Sequence, residues 1–394
     1  MARKRISRRT ALKGLGGAAA LAATGIGFPG ILRAAENVKI GFLSALTGLE
    51  TILGETQLNC FKMAVDEVNA AGGAGGRQIE FVVEDDQTTT KGCIEKARKL
   101  IAQDKVDCII GLIASLEHVA TRSVTTPGKE MLIYTTYYEG EVCERYFFAT
   151  GQVPNQQIDP FTVWLTKNVG KSVYILGSDY IWPRKSSEAI KAAFEKNGGK
   201  VLGIEFFPFG TQDFGPALER VKNASPDMVW VMVAGADGIT ILKQYRSFGM
   251  KPQLVSNGLD EIYSFAHPDL AEGSISNQAY FMTLDNAKNK EFVAKYRQKF
   301  GADKPINAIG EAAYDAVWLY SLAVAKAGTT EVEKVIPMMS KVEFEAPQGH
   351  VNFSALNNHM RANSILGRAR KDGSWEIVQN FGQIDPEIPG CKLG

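Results

Sequence analysis

Short apolar, β-branched runs alternate along this chain with stretches whose apolar residues recur at helical spacing. Strands are predicted to begin near Val38 (VKIGFL), Ile79 (IEFVVE), Val106 (VDCIIGLI) and Met131 (MLIYT). A second series is predicted near Ser172 (SVYILG), Val201 (VLGIEFF), Asp227 (DMVWVMV), Pro252 (PQLVS) and Ile275 (ISNQAYF). Continuous apolar runs of this length suit strands covered on both faces, as in a parallel sheet. Between them lie helical stripes: Leu58, Phe61, Val65 and Val68; Ile94, Ala97 and Ile101; Phe214, Ala217, Leu218 and Val221; and Leu242, Tyr245 and Phe248. This alternation builds right-handed βαβ units and doubly wound sheets. Gly72-Gly73, Gly75-Gly76 and Gly198-Gly199 stand where a helix should stop ahead of a strand, glycine being the residue that tolerates the left-handed conformation there.

The beat breaks once, over residues 146–169, which reads as a crossover containing Val153-Pro154-Asn155-Gln156-Gln157 and a helix with Phe161, Trp164 and Leu165. After Met282 the pattern turns helical (Phe292, Tyr296, Phe300, then 313–327), and from Phe344 it becomes strand-like again (FEAPQGHVNF, ILGRAR, SWEIV). The fold class expected is α/β, with two doubly wound lobes joined by a three-segment hinge. The boundaries expected are residues 36–150 for the first part of lobe 1 and 151–282 for the first part of lobe 2. Residues 283–342 then return to lobe 1, and 343–394 supply return strands of lobe 2 and a C-terminal tail. A hinge between two similar lobes is the geometry for closing on something small.

Residues 1–35 change the picture of where the chain works. Ser7-Arg8-Arg9-Thr10-Ala11-Leu12-Lys13 fits a twin-arginine export pattern; a Gly/Ala-diluted apolar run from Leu15 to Ile31 and the small pair Ala34-Ala35 follow. This reads as a cleaved signal rather than a membrane span, with cleavage near Ala35 and a periplasmic product. Seven of the 44 lysines and arginines and none of the 43 acids lie in this segment, leaving 37 bases against 43 acids in the remainder. A mildly acidic body without a basic stripe excludes nucleic acid as the expected partner, and a monomer is expected. Five cysteines (Cys60, Cys93, Cys108, Cys143, Cys391) fit no zinc spacing. Cys60, Cys93 and Cys108 read as buried thiols, whereas Cys143, in a loop, either pairs or stays free.

Catalytic motifs are missing from the sequence. The four histidines form no HExxH or helical pair, and neither a GxSxG elbow nor a Walker A loop occurs. No enzyme, metal or cofactor is expected, although a secreted hydrolase is one alternative. Asp85-Asp86 at a strand end suits a turn cap better than a divalent ion. In open parallel sheets, ligands bind beyond the carboxyl ends of the strands. The first lobe places Ser44 to Gly48, Ile113 to Glu117 and Tyr134 to Glu139 there. Ser115 opens a helix, so it is either a donor to a ligand or an N-cap; Tyr134 and Thr136 either line the cleft or, for Tyr134, pack the core with a bonded hydroxyl. The second lobe offers Tyr180 and Trp182 as aromatic covers for a planar solute. Asp237, Asp260 or Glu261 can accept an ammonium or start a helix.

These residues also carry a family resemblance. Tyr138-Glu139-Gly140-Glu141 with Cys143, Val153 to Gln157, Gly177 to Arg184, Glu345 to Gly349 and Asn357-Asn358-His359 resemble the type I periplasmic solute-binding proteins of ABC transporters. The group is that for branched-chain amino acids and amides, and the urea and short-chain amide binders are most similar. The resemblance implies a Venus-flytrap receptor that captures a small polar nitrogen compound and delivers it to a membrane permease, with an amino acid as the alternative ligand. By position it implies contacts at Ile113, Ser115, Tyr134, Thr136 and Trp182. Trp182 replaces a smaller aromatic, and Ile113 stands where amide binders can carry a tyrosine.

Overall fold

The computed structural model describes residues 36–393, so the twin-arginine segment and its cleavage point lie outside the described residues. The first sheet is made of β1 (Val38–Ser44), β2 (Ile79–Asp85), β3 (Cys108–Gly111), β4 (Met131–Tyr134) and β5 (Phe147–Ala149), all parallel, in the order β2-β1-β3-β4-β5. Helices α1 (Thr51–Ala70), α2 (Thr90–Lys99) and α3 (Ser115–Gly128) make the crossovers.

The chain then passes through two short helices, α4 (Pro154–Gln157) and α5 (Asp159–Asn168), and repeats the plan. Strands β6 (Ser172–Ser178), β7 (Lys200–Phe207), β8 (Met228–Met232), β9 (Gln253–Ser256) and β10 (Ile275–Gln278) form a second parallel set. They alternate with α6 (Ile181–Lys196), α7 (Gly215–Ala224), α8 (Gly235–Ser247), α9 (Glu261–Ala266) and α10 (Pro268–Ala271). The order β7-β6-β8-β9-β10 reproduces that of the first sheet. Both sheets therefore reverse strand order beside their first strand, and doubly wound folds place their ligands at that switch point.

Helices α11 (Ala287–Phe300), α12 (Ala308–Ala327) and α13 (Val332–Met339) follow. Helix α12 packs along α1 of the first lobe. A Cβ at Gly310 would come within 2.8 Å of Thr56 Oγ1 and 3.0 Å of Cys60 Sγ, so glycine permits the close approach. Strands β11 (Glu343–Ala346), β12 (Gly349–Phe353), β13 (Met360–Ala369) and β14 (Trp375–Ile384) join the second sheet antiparallel, β13 pairing with β10.

Two differences from the sequence reading have simple causes. The three-residue β5 is hidden inside the apparent crossover because it is too short to show a period. Strand β14 runs six residues beyond SWEIV because its outer side is open to solvent and its polar residues broke the apolar run.

Amide side chains join apolar packing in holding the crossover, where Val153, Ile158, Phe161 and Leu165 are buried. Gln157 Nε2 donates to the carbonyls of Asn257 (2.8 Å) and Asn277 (3.3 Å), and its Oε1 accepts from Asn257 Nδ2 (2.9 Å). Gln156 Nε2 donates to Met360 O and Ile384 O (both 2.9 Å), and Gln152 Nε2 to Asn363 O (2.9 Å). Gln152 and Gln156 thus tie the first crossing to the return strands, and Gln157 ties it to the ends of β9 and β10. Cys143 pairs with Cys391, their Cα atoms 5.5 Å apart, whereas Cys60, Cys93 and Cys108 are free and buried. Ile388 and Cys391 pack with Tyr138, Val142 and Val153, so the tail ends against the first lobe.

Candidate functional site

The loop after β1 is shaped by Asp85, whose carboxylate accepts from the backbone N–H groups of Leu46 (3.0 Å) and Thr47 (3.2 Å) and from Thr47 Oγ1 (2.6 Å). Asp86 takes the Thr88 N–H at 2.8 Å. Both acids therefore act on turns. The loop ends at Glu50, just ahead of α1.

After β3, Gly111 (φ 134°) lets the chain bend beside Leu43, whose carbonyl oxygen would lie 2.2 Å from a Cβ there. Leu112 follows in the left-handed region at φ 67°, a strained position, and its carbonyl accepts from Gln57 Nε2 (3.0 Å) and Thr136 Oγ1 (2.9 Å). Ala114, not Ser115, is the N-cap of α3. Glu117 reaches back to the N–H groups of Ile113 (2.6 Å) and Ala114 (3.2 Å), half of a capping box. Ser115 in the first turn donates its hydroxyl proton to Glu139 Oε2 at 2.6 Å, and His118 Nε2 lies 3.3 Å from the other oxygen of that carboxylate. Burial holds the His118 imidazole below its usual range.

The two lobes meet over this floor. The Leu49 carbonyl accepts from the N–H of Ala236 in α8 at 3.3 Å, and the rings of Tyr137 and Trp182 approach to 5.3 Å between centroids. A Cβ on Gly258 would fall 3.1 Å from Tyr137 Oη and 3.2 Å from Trp182 Cη2, so the absence of a side chain there admits both rings. Between the lobes lies a cavity whose apolar wall includes Leu53, Ile113, Val231, Leu242, Leu254 and Ile309. Its aromatic residues are Tyr137, Tyr180, Trp182 and Tyr263, and its polar side chains are Glu50, Ser115, Thr136 and Ser256. No lysine, arginine or histidine lines it.

Of the seven residues singled out from the sequence, Ile113, Ser115, Thr136, Tyr180 and Trp182 come together on this wall. Tyr134 stands behind it, fully buried, with its hydroxyl donated to the Ile113 carbonyl. Asp260 is the N-cap of α9; it accepts from the Ile262 N–H and from Asn307 Nδ2, both at 3.0 Å, and burial pushes its carboxyl up to about 7. Asp237 accepts the Gly210 N–H (2.7 Å) and Glu261 the Met282 N–H (2.6 Å). These three acids brace loops rather than face the cavity.

Glu50 was not singled out by the sequence. Nor was Tyr263, and Tyr137 was named only as part of the Tyr134 to Glu139 strand end; the approach of the opposite lobe sets all three on a cavity. No backbone N–H donates to either Glu50 oxygen; the partner of this carboxyl is the Glu117 carboxyl. Burial pushes this carboxyl up to about 7; the hydrogen bond to the Glu117 carboxyl works against that rise and the nearby Asp86 adds to it.

Residues 37–374 match the sequence model of a family described as "Periplasmic binding protein". The chain is 25% identical over 336 residues to the leucine-, isoleucine-, valine-, threonine- and alanine-binding protein of Pseudomonas aeruginosa, covering 83% of this chain and 88% of that one. An ABC transporter substrate-binding protein from Sphaerobacter thermophilus superposes with a TM-score of 0.80 at 26% identity, over 89% of this chain and 99% of its own. A solute-binding protein of an ABC transporter from Rhodopseudomonas palustris BisB5, in complex with 3,4-dihydroxybenzoic acid, superposes with a TM-score of 0.81 at 25% identity, over 90% and 99%.

Proposed function

Because this chain belongs to the periplasmic binding protein family, whose members here are substrate-binding proteins of ABC transporters and not enzymes, we propose a specific cargo. The cavity holds a small nitrogen compound that presents N–H donors, such as urea or a short amide, and the closed protein hands it to a membrane permease. The observation that carries this reading is the direction of the hydroxyl protons. Ser115 donates to Glu139 and Thr136 to the Leu112 carbonyl, so both oxygens turn only lone pairs toward the cavity. Glu50 adds a carboxyl that no backbone N–H satisfies and whose protein partner is the Glu117 carboxyl. A guest with N–H groups satisfies all three, and a guest without them leaves buried acceptors unmet at about 1–3 kcal/mol each.

Ile113, Ser115, Thr136, Tyr180 and Trp182 are then contact residues, while Tyr134 and Asp260 hold the wall from behind. A ligand that touches both lobes favours closure by its differential affinity for the closed state. The receptor is a periplasmic monomer exported by the twin-arginine segment and cleaved near Ala35.

One arrangement favours the amino-acid reading. The first N–H groups of α3 lack intrahelical acceptors and point a partial positive charge at the cavity. With the Glu50 carboxyl beside Glu117 of that first turn, they offer a carboxylate and an ammonium of one molecule neighbouring partners.

Mass spectrometry of the ligand that co-purifies with the mature protein tests the proposal directly. A thermal-shift panel of urea, acetamide, propionamide and L-leucine separates the two readings, and stabilisation by no nitrogen compound refutes both. Trp182, almost fully buried, supplies apolar cover worth about 1.5–3 kcal/mol. Trp182→Ala is therefore expected to weaken the stabilising solute by about 10- to 100-fold in a calorimetric titration while the fold persists.

A further inference from the structure

The Glu50 side chain raises a question of charge. It is fully buried and lines the cavity, and among the described residues its hydrogen-bonding partner is the Glu117 carboxyl, with no backbone N–H and no cation on it. Its carboxyl lies against that of Glu117, which has its own donorless oxygen, Oε1, and near Asp86, whose Oδ2 is equally without a donor. Buried polar groups in folded proteins are nearly always satisfied, and a buried carboxylate with no counter-charge is costly. The other titratable groups felt by Glu50 are tyrosines: Tyr134 and Tyr137 from the end of β4, Tyr180 ahead of α6 and Tyr263 in α9. None supplies positive charge, and no cationic side chain lines the cavity.

A buried carboxyl with no counter-charge, on a cavity also lined by Tyr137, Tyr180, Trp182 and Tyr263, has the chemistry of a site for an organic cation, since aromatic faces attract ammonium groups and a carboxylate bonds them strongly. We propose that Glu50 is the specificity-determining residue of this cavity and selects a protonated amine, whose ammonium donates to Glu50 and lies among those rings. This rests on the reading of the interlobe cavity as the solute site and narrows its nitrogen compound to a cation. In the empty protein burial keeps Glu50 protonated below about pH 7, and it holds the neighbouring Glu117 carboxyl protonated well above its usual range. The cation needs Glu50 ionised, so the Glu50 proton leaves to solvent on binding while Glu117 keeps its own. Because burial pushes the Glu50 carboxyl up to about 7, cation affinity should rise by about tenfold per pH unit below pH 7 and level off above it. A neutral amide has no such dependence.

The test is isothermal titration of the full mature protein with propylammonium and with propionamide. It is run at pH 6 and 8 in phosphate and in HEPES, which differ in ionisation heat, on the native chain and on Glu50→Gln, Glu117→Gln and Trp182→Ala. Propylammonium is expected to bind about tenfold or more tighter at pH 8 than at pH 6, with up to about one proton released at pH 6. Glu50→Gln should weaken it by about 10- to 100-fold and weaken propionamide, which loses an acceptor but no charge partner, by a smaller factor. Glu117→Gln, which keeps Glu50, should retain cation binding, and this variant and the native proton release test the idea even if Glu50→Gln folds poorly. Tighter binding of propionamide than of propylammonium by the native protein, equal propylammonium affinity in Glu50→Gln, or no binding of propylammonium overturns the inference. Binding of either probe that Trp182→Ala leaves untouched instead overturns the assignment of the cavity itself.

Discussion

Replacing Trp230 with alanine is expected to destabilise the second lobe by about 3–5 kcal/mol, read as a lower urea midpoint at an unchanged slope. Trp230 sits in β8, at the centre of the parallel strands, and is fully buried against Phe161 (5.0 Å between ring centroids) and Phe194 (6.3 Å). Truncation opens a cavity between β8 and two helices that cannot collapse into it. It also removes the Nε1–H that Asn257 Oδ1 accepts at 2.9 Å, and Asn257 in turn holds Gln157 of the crossover. Trp230→Phe separates the two contributions. It restores most of the ring volume but still orphans Asn257 Oδ1, so about 1–3 kcal/mol should remain lost. Full recovery in Trp230→Phe would show that the amide network contributes nothing.

Breaking the Cys143–Cys391 bridge should cost about 2–4 kcal/mol. The two cysteines are 248 positions apart, so the bridge restrains a large loop in the unfolded chain. In the folded state it pins the tail beside Tyr138 and Val142, next to the Glu139 carboxylate that orients Ser115. Unfolding of the native protein with and without dithiothreitol measures the effect. The reductant should lower the midpoint of the native chain to that of Cys143→Ser/Cys391→Ser and leave the double variant unmoved. Equal midpoints for oxidised native and double variant would refute it.

Particular residues show how far the chain could be read in advance. The strand starts at Val38, Met131 and Ser172 are legible because strands covered on both faces need nearly unbroken apolar runs, whereas Ile79 opens an edge strand with Glu80 and Phe81 exposed and Ile275 a buried strand of mostly polar residues. The cavity wall at Ile113, Ser115, Thr136, Tyr180 and Trp182 follows from the rule that strand ends gather at the switch point. Tyr134 differs from Thr136 only in its place in the strand. It is the last residue of β4 and turns its ring into the core beside Tyr138 and Phe147, whereas Thr136, two residues on, has left the sheet. Alternation puts residues on one face but does not say where the strand stops. Asp260 and Glu50 look alike in sequence, each an acid just ahead of a helix. Asp260 meets the Ile262 N–H and Asn307, and Glu50 meets no N–H group, only the Glu117 carboxyl.

Apolar periodicity and glycine placement thus determined on their own the alternating elements, the doubly wound order they imply and the doubling of the lobes, because these depend on which face of each segment must leave water. Which cysteine Cys143 joins, that Ser115 and Thr136 turn only lone pairs inward, and that Glu50 shares a cavity with four aromatic side chains and no cation were decided by the tertiary structure alone. Each depends on contacts between residues tens to hundreds of positions apart, and local pattern carries no record of such distances.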